Sequence, residues 1–277
     1  MPLKLILLLI SVGLCFLAGC AANPITGEDE LMFFPEQQDV AMGDQYAPEV
    51  EKKLKGRIAD QNVQNYIDSV GQKIAKISHR PEFYYHFVAV NDKSINAITL
   101  PGGHIFITKG ILLKLKNEAE LAGILSHEIV HAVARDTANA MSNQMAVGLP
   151  FSFAMSRVSS EGAQAAADFA RQILELKYDR EDERTADLGG LDYMVKAGYN
   201  PNGMLETMQM LENEETTRPV DFLSTHPSPE NRLSYIRARI QTRYANNVDG
   251  ARIGQEDYEH SVLDKIRNLP DPPHLQQ

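Results

Sequence analysis

Apolar residues return along this 277-residue chain with two different periods, and the switches between them mark out its elements. Between Glu36 and Ser78, Val63, Tyr66, Ile67, Val70 and Ile74 recur at helical spacing and predict mostly helix. Phe83 to Val90 is dense in aromatic and β-branched residues, which predicts a strand. A second strand region runs from Ile95 to Thr108, interrupted by Pro101-Gly102-Gly103. Past Ile111 the pattern is helical or irregular. Leu121, Ile124, Leu125 and Val133 form one buried stripe, and Phe169, Ile173, Leu176, Leu188 and Leu191 keep a second helical rhythm. Helices before and after a small sheet predict a mainly helical α+β domain over residues 36–277, not a doubly wound one. Residues 138–167, rich in Met, Ala, Ser and Gly, show no strong period. They fit a packed helix–loop–helix or a lid beside a site.

The first residues follow another logic. Lys4 precedes an apolar run from Leu5 to Leu17, too short to span a bilayer, which ends in Leu17-Ala18-Gly19-Cys20. A charged start, an apolar stretch and small residues before a cut site predict a signal peptide over residues 1–19. The Leu-Ala-Gly-Cys tetrad resembles the bacterial lipobox, which implies that Cys20 is lipidated. Ala21 occupies the position where Asp retains many such lipoproteins in the inner membrane, so the expected location is the periplasmic face of the outer membrane. Cys15 and Cys20 are the only cysteines, leaving the mature chain no disulfide. Residues 20–35 then form an extended tether, with turn signals at Asn23-Pro24 and Thr26-Gly27. No apolar run after residue 20 is long enough to span. The net charge of −10, with no block of Lys or Arg, argues against a nucleic-acid partner.

The chemistry concentrates in two stretches. Asn117 with Glu120 forms a start resembling a capping box, and on the helix it opens, His127 and His131 stand four residues apart. At roughly 100° per residue they differ by about 40° around the axis, so both imidazoles can meet one metal ion. Glu128 beside them can reach a water on that metal, the His-Glu-x-x-His arrangement of zinc peptidases. A catalytic zinc needs a third protein ligand. The acidic start Arg180-Glu-Asp-Glu-Arg-Thr-Ala-Asp187 supplies candidates: Glu183 and Asp187 share a helix face, and Glu181 and Asp182 compete for the role.

These stretches resemble the zinc metallopeptidase family of the CaaX prenyl-protein endopeptidase and HtpX, especially its soluble periplasmic lipoprotein members. Four segments carry the resemblance: Asn96-Ala97 with Leu100 to Gly103 and Ile105; Glu120 to His131; Arg180 to Asp187; and Thr225-His226-Pro227 with Arg232. Asp179 stands where a serine is more usual. The resemblance implies a gluzincin fold whose edge strand borders the cleft, Glu183 as third ligand and Asp187 behind His127. It also puts His226 near the zinc, steadying an oxyanion or capping the metal as an inhibitory switch.

The implied activity is zinc-dependent hydrolysis of internal peptide bonds, with one Zn2+ per chain and Glu128 as general base. An extended substrate, such as an unfolded or misassembled envelope protein, would pair along Gly103 to Thr108, touching Gly103, His104 and Ile105. Arg232, in a helix expected to start at Pro229, would support His226 or bind a substrate carbonyl. His79, His86, His104, His260 and His274 fit no ligand spacing. Two alternatives compete: a periplasmic chaperone or assembly factor with a His226-capped zinc, and a non-haem iron oxygenase using two His and one carboxylate.

Overall fold

The computed structural model describes residues 19–148 and 160–269, so nearly all of the expected signal peptide and the middle of the expected lid lie outside the described residues. A hairpin of β1 (Cys20–Ala22) and β2 (Asp29–Leu31) leads to helices α1 (Glu36–Lys53) and α2 (Gln61–Ala75). A sheet of β3 (His86–Val90), β4 (Ala97–Thr99) and β5 (His104–Thr108) follows. After the short α3 (Lys109–Leu112) come α4 (Glu118–Ala134), α5 (Asp136–Ala146), α6 (Ser160–Leu174) and α7 (Arg180–Lys196). The helices α8 (Asn202–Glu215), α9 (Asp221–Thr225) and α10 (Arg232–Arg243) follow, and helical turns over residues 255–266 add Tyr258, Val262 and Ile266 to the core. This is the mainly helical α+β fold that the two periods predict.

The sheet order is β3-β5-β4, which corrects the expected substrate strand. β5 runs parallel to β3, from His86 opposite His104 to Val90 opposite Thr108, and antiparallel to β4 on its other side. With both edges paired and all five residues buried, it has no free edge for a substrate. The cause is the Pro101–Gly103 turn: Gly102 (φ 79) and Gly103 (φ 83) take conformations open to glycine and fold β4 back alongside β5. The edge strand that borders α4 is therefore β4.

Helix α4 is the axis of the core, with every residue from Glu118 to Ala134 buried. The four-residue stripe seen in the sequence understates this because Ala and Gly, Ile129 and Val130, and the polar residues Ser126, His127, Glu128 and His131 fill the other faces. Small residues let the neighbours close in. A Cβ on Gly190 of α7 would lie 3.0 Å from the His127 nitrogen, and one on Gly203 of α8 only 2.4 Å from the Ala119 oxygen.

Residues 20–35 are not the extended tether expected of them. Asn23 does turn the chain, its Oδ1 accepting from Ile25 N at 2.9 Å, but the turn closes a hairpin that docks on α5. Asn139 Nδ2 donates to Leu31 O (3.0 Å), and Phe33 N donates to Ser142 Oγ (3.0 Å). Met32 and Phe34 are buried with Met42, Tyr46, Met141 and Phe169. Two large apolar side chains just before α1 are what a free tether would have to leave in water.

Candidate metal centre

Asn117 caps α4 by accepting from Glu120 N at 2.9 Å, and the helix then turns His127 and His131 towards α7. Their Nε2 atoms lie 3.1 Å apart. Glu183 reaches both, Oε2 lying 3.5 Å from His127 Nε2 and Oε1 3.4 Å from His131 Nε2. His226, just past α9, brings Nδ1 to 2.7 Å from Glu183 Oε1 and 3.3 Å from His127 Nε2. These four side chains are at most 1% exposed. Glu181 is exposed, and Asp182 turns back to accept from Asp179 N, so of the acidic residues at the start of α7 the structure brings Glu183 to the histidines.

Carboxylates hold the far nitrogens of the pair. His127 Nδ1 lies 3.1 Å from Asp187 Oδ1, and His131 Nδ1 2.6 Å from Asp136 Oδ2. Each Nδ1 therefore carries the proton and donates, which leaves a lone pair on each Nε2. Two lone pairs 3.1 Å apart, buried beside a carboxylate, repel one another unless a cation, either a proton on His131 or a metal ion, lies between them. A donor set of imidazoles and one carboxylate suits zinc. The charge balance agrees. Burial pushes Glu183 up, yet His226 and His127 outweigh it and hold the carboxyl well below its usual range. Burial lowers His127, whereas at His131 it is outweighed by Asp136 and Glu183, which hold that imidazole well above its usual value. Proton and metal thus compete for the same nitrogens.

Glu128 is fully buried beside this cluster. Thr99 of β4 donates to its Oε2 (2.7 Å), while Oε1 has no hydrogen-bond partner among the described residues and lies 3.7 Å from His226 Nε2. Aromatic rings wall the group: Tyr178 stacks on His131 at 4.0 Å and Phe222 on His226 at 4.1 Å. A cleft that reaches His131 holds about 10 Å³, scarcely room for one water.

Of three expected substrate contacts, Gly103, His104 and Ile105, the last two belong to β5, which is paired on both sides. His104 instead meets Asp44 of α1 at 2.9 Å. Arg232 is likewise no substrate contact here: it is 2% exposed, and its Nη2 donates to Asp187 Oδ1 (2.6 Å) and Glu183 Oε2 (3.2 Å). Its helix starts at Arg232 rather than at Pro229, because Asn231 takes a left-handed φ of 61. Asp187 is held low because Arg232 and His127 outweigh its burial. Asp136, Thr99 and Tyr178 escaped the sequence pattern. For Asp136 a signal existed, an acid directly after the helix that bears His131. Seeing its use requires knowing that Arg135 (φ 65) breaks the helix and turns Asp136 back.

The sequence profile of Peptidase family M48 matches residues 61–240, a span that takes in every residue of the cluster. The β-barrel assembly-enhancing protease of Yersinia pestis is 29% identical over 214 residues, 73% of this chain and 44% of that protein. Its counterpart in Escherichia coli (strain K12) is 29% identical over 217 residues, with the same shares. The mitochondrial metalloendopeptidase OMA1 of Schizosaccharomyces pombe is 31% identical over 173 residues, 62% of this chain and 51% of that one. The chain spans less than half the length of the first two.

Proposed function

The chain belongs to peptidase family M48, and on that premise we propose that it is a zinc-dependent endopeptidase of extended polypeptides. The observation that carries this is the convergence of His127, His131 and Glu183, with the partnerless Oε1 of Glu128 beside them. Zinc, when bound, supplies Lewis-acid polarisation of the scissile carbonyl and acidifies the attacking water. Glu128 takes the proton from that water and passes it to the leaving amine, while Thr99 keeps its other oxygen in place. Asp187 and Asp136 fix the histidine tautomers. The substrate pairs along β4, the edge strand, and not along residues 103–108.

His226 supports a second element, latency. Its 2.7 Å contact with Glu183 and the burial of the whole group fit a capped enzyme that must open before it cuts. The envelope is the proposed setting, with misassembled outer-membrane proteins as substrates. Support comes from the Leu17–Cys20 tetrad and from relatives named for β-barrel assembly. Among the described residues no helix is long and apolar enough to cross a membrane. An acyl chain on Cys20 would hold the domain close against the bilayer, since the hairpin beginning there is docked.

The test is casein cleavage by the zinc-loaded chain beginning at Cys20, beside Glu128→Gln and His226→Ala. Wild-type activity lost in Glu128→Gln with zinc retained supports the peptidase. A silent wild type with an active His226→Ala supports the latent form. Silence in all three at full zinc occupancy overturns the proposal in favour of an assembly factor.

A further inference from the structure

A second convergence of ligating side chains lies on the opposite side of the sheet. His86 and His104 face each other in register across the parallel β3–β5 pair, so both imidazoles leave the same face. The rings stack with centroids 4.5 Å apart. Asp44 of α1 completes the group, its Oδ1 2.9 Å from His104 Nε2. One ligating atom from each of the three lies within 4.8 Å of the others. Its placement is enforced by the packing next to it. A Cβ on Gly43 would stand 2.2 Å from the Pro101 oxygen and 2.8 Å from His104 Cδ2. Only a glycine lets α1 come close enough for the next residue to meet the imidazole. The group borders a groove of about 570 Å³ between α1, α2 and the sheet, and Asp44 and His86 are exposed, so ions reach it from solvent.

We propose that Asp44, His86 and His104 form a second metal site, for a zinc-class divalent ion, which clamps α1 onto the sheet. Two imidazoles and one carboxylate are the donors that borderline ions prefer, and water fills the remaining positions on the open side. The metal takes the place of the proton that His104 Nε2 shares with Asp44; that proton moves to Nδ1 of the neutral ring, and one is released to solvent only where the imidazole is doubly protonated. The buried centre has second carboxylates holding its far nitrogens, and this site lacks that support from Asp136 and Asp187. Its ion therefore binds more weakly and exchanges faster. Nothing in it depends on the proposed peptidase activity.

Bound zinc per chain decides the matter, measured by elemental analysis after equilibration of the full mature chain with micromolar Zn2+ and buffer washing. The wild type should retain two ions, and His86→Gln and Asp44→Asn one each, with unchanged circular dichroism and casein activity. Thermal melting should rise with added Zn2+ in the zinc-loaded wild type and stay fixed in both variants. One ion in the wild type overturns the site, and so does a second ion that persists in both variants. If a variant fails to fold, Ni2+ titration of the zinc-loaded wild type followed by NMR replaces it. Selective broadening of the His86 and His104 ring signals, with His260 left sharp, supports the site. Uniform broadening or none overturns it.

Discussion

Helix α4 carries a buried carboxylate near each end, and the two ends treat charge in opposite ways. At the N-terminal end Glu118 is fully answered. Arg252 donates to both of its oxygens at 2.6 Å, and Tyr199 and Tyr66 add further bonds at 2.9 and 2.5 Å. Towards the other end, acceptors confront acceptors: two Nε2 atoms 3.1 Å apart, the Glu183 carboxylate beside them and the Oε1 of Glu128, without a partner among the described residues. Burial does not separate the two, since Glu118 is 4% exposed and Glu128 0%. The difference lies in closure. A network whose donors and acceptors balance ties elements together, and here Arg252 and Tyr66 pin distant segments to the start of α4. A network with surplus acceptors is costly unless a ligand completes it, and such imbalance marks a functional site.

Substitutions should separate the two ends cleanly. The largest effect belongs to Glu128→Gln, which should lower kcat/KM by about 10²–10⁴ through loss of the proton acceptor. Its zinc content should stay at the wild-type level. Its melting temperature should stay level or rise, because a fully buried ionisable carboxyl becomes a neutral amide of the same shape. A clear fall in melting temperature would show that Glu128 serves folding, and would erase the contrast with Glu118. Next come Asp136→Asn and Asp187→Asn, each expected to weaken zinc affinity about 10–100-fold, read by competition with a chelating dye. Unchanged affinity in both would mean that fixing the imidazole tautomers contributes nothing.

Gly203→Ala probes the opposite end through packing alone. The added methyl would meet the Ala119 oxygen at 2.4 Å, and relief requires moving α8 off α4. The expected loss is about 1–3 kcal/mol in denaturant unfolding, with zinc per folded chain unchanged. An unaltered midpoint would mean that α8 yields easily and that close packing does not fix this end.

How much of this could be read along the chain depended on the geometry of each pairing. His127 with His131, and Glu183 with Asp187, are spaced at i and i+4, so one turn of helix brings each pair together and sequence distance reports spatial distance. Glu183 was separable from Glu181 and Asp182 only by resemblance, and the structure separates them by burial. Asp136 depends on a left-handed Arg135, and Thr99 on which strand takes the sheet edge, which local periodicity does not encode. The same gap explains the misplaced substrate strand, since a hairpin pattern tells that β4 and β5 pair but not which of them β3 joins. The docked hairpin had visible cues in Met32 and Phe34, but hydrophobic residues beside turn signals fit a tether equally well until their partners are known.

The smallest effect is expected at Glu118→Gln, and it is the one with a pH signature. Burial pushes the Glu118 carboxyl up, but Arg252, Tyr66 and Tyr199 outweigh it, so its pKa in the folded chain sits below the ordinary 4.5. A carboxylate depressed by folding adds stability above its unfolded pKa and loses that contribution as pH falls through the folded value. The wild type should therefore lose stability on acidification below pH 4.5 more steeply than Glu118→Gln does. Arg252 is 42% exposed, so solvent screens the pair and the difference near neutral pH should be about 1 kcal/mol. Urea unfolding at pH 7 and at stepwise lower pH measures both curves. Activity per folded molecule should be the same in the two proteins at pH 7, because the far end of the helix is untouched. Parallel curves would mean that Arg252 and the tyrosines do not hold the charge. A matching fall in activity would mean that the two ends of α4 are coupled.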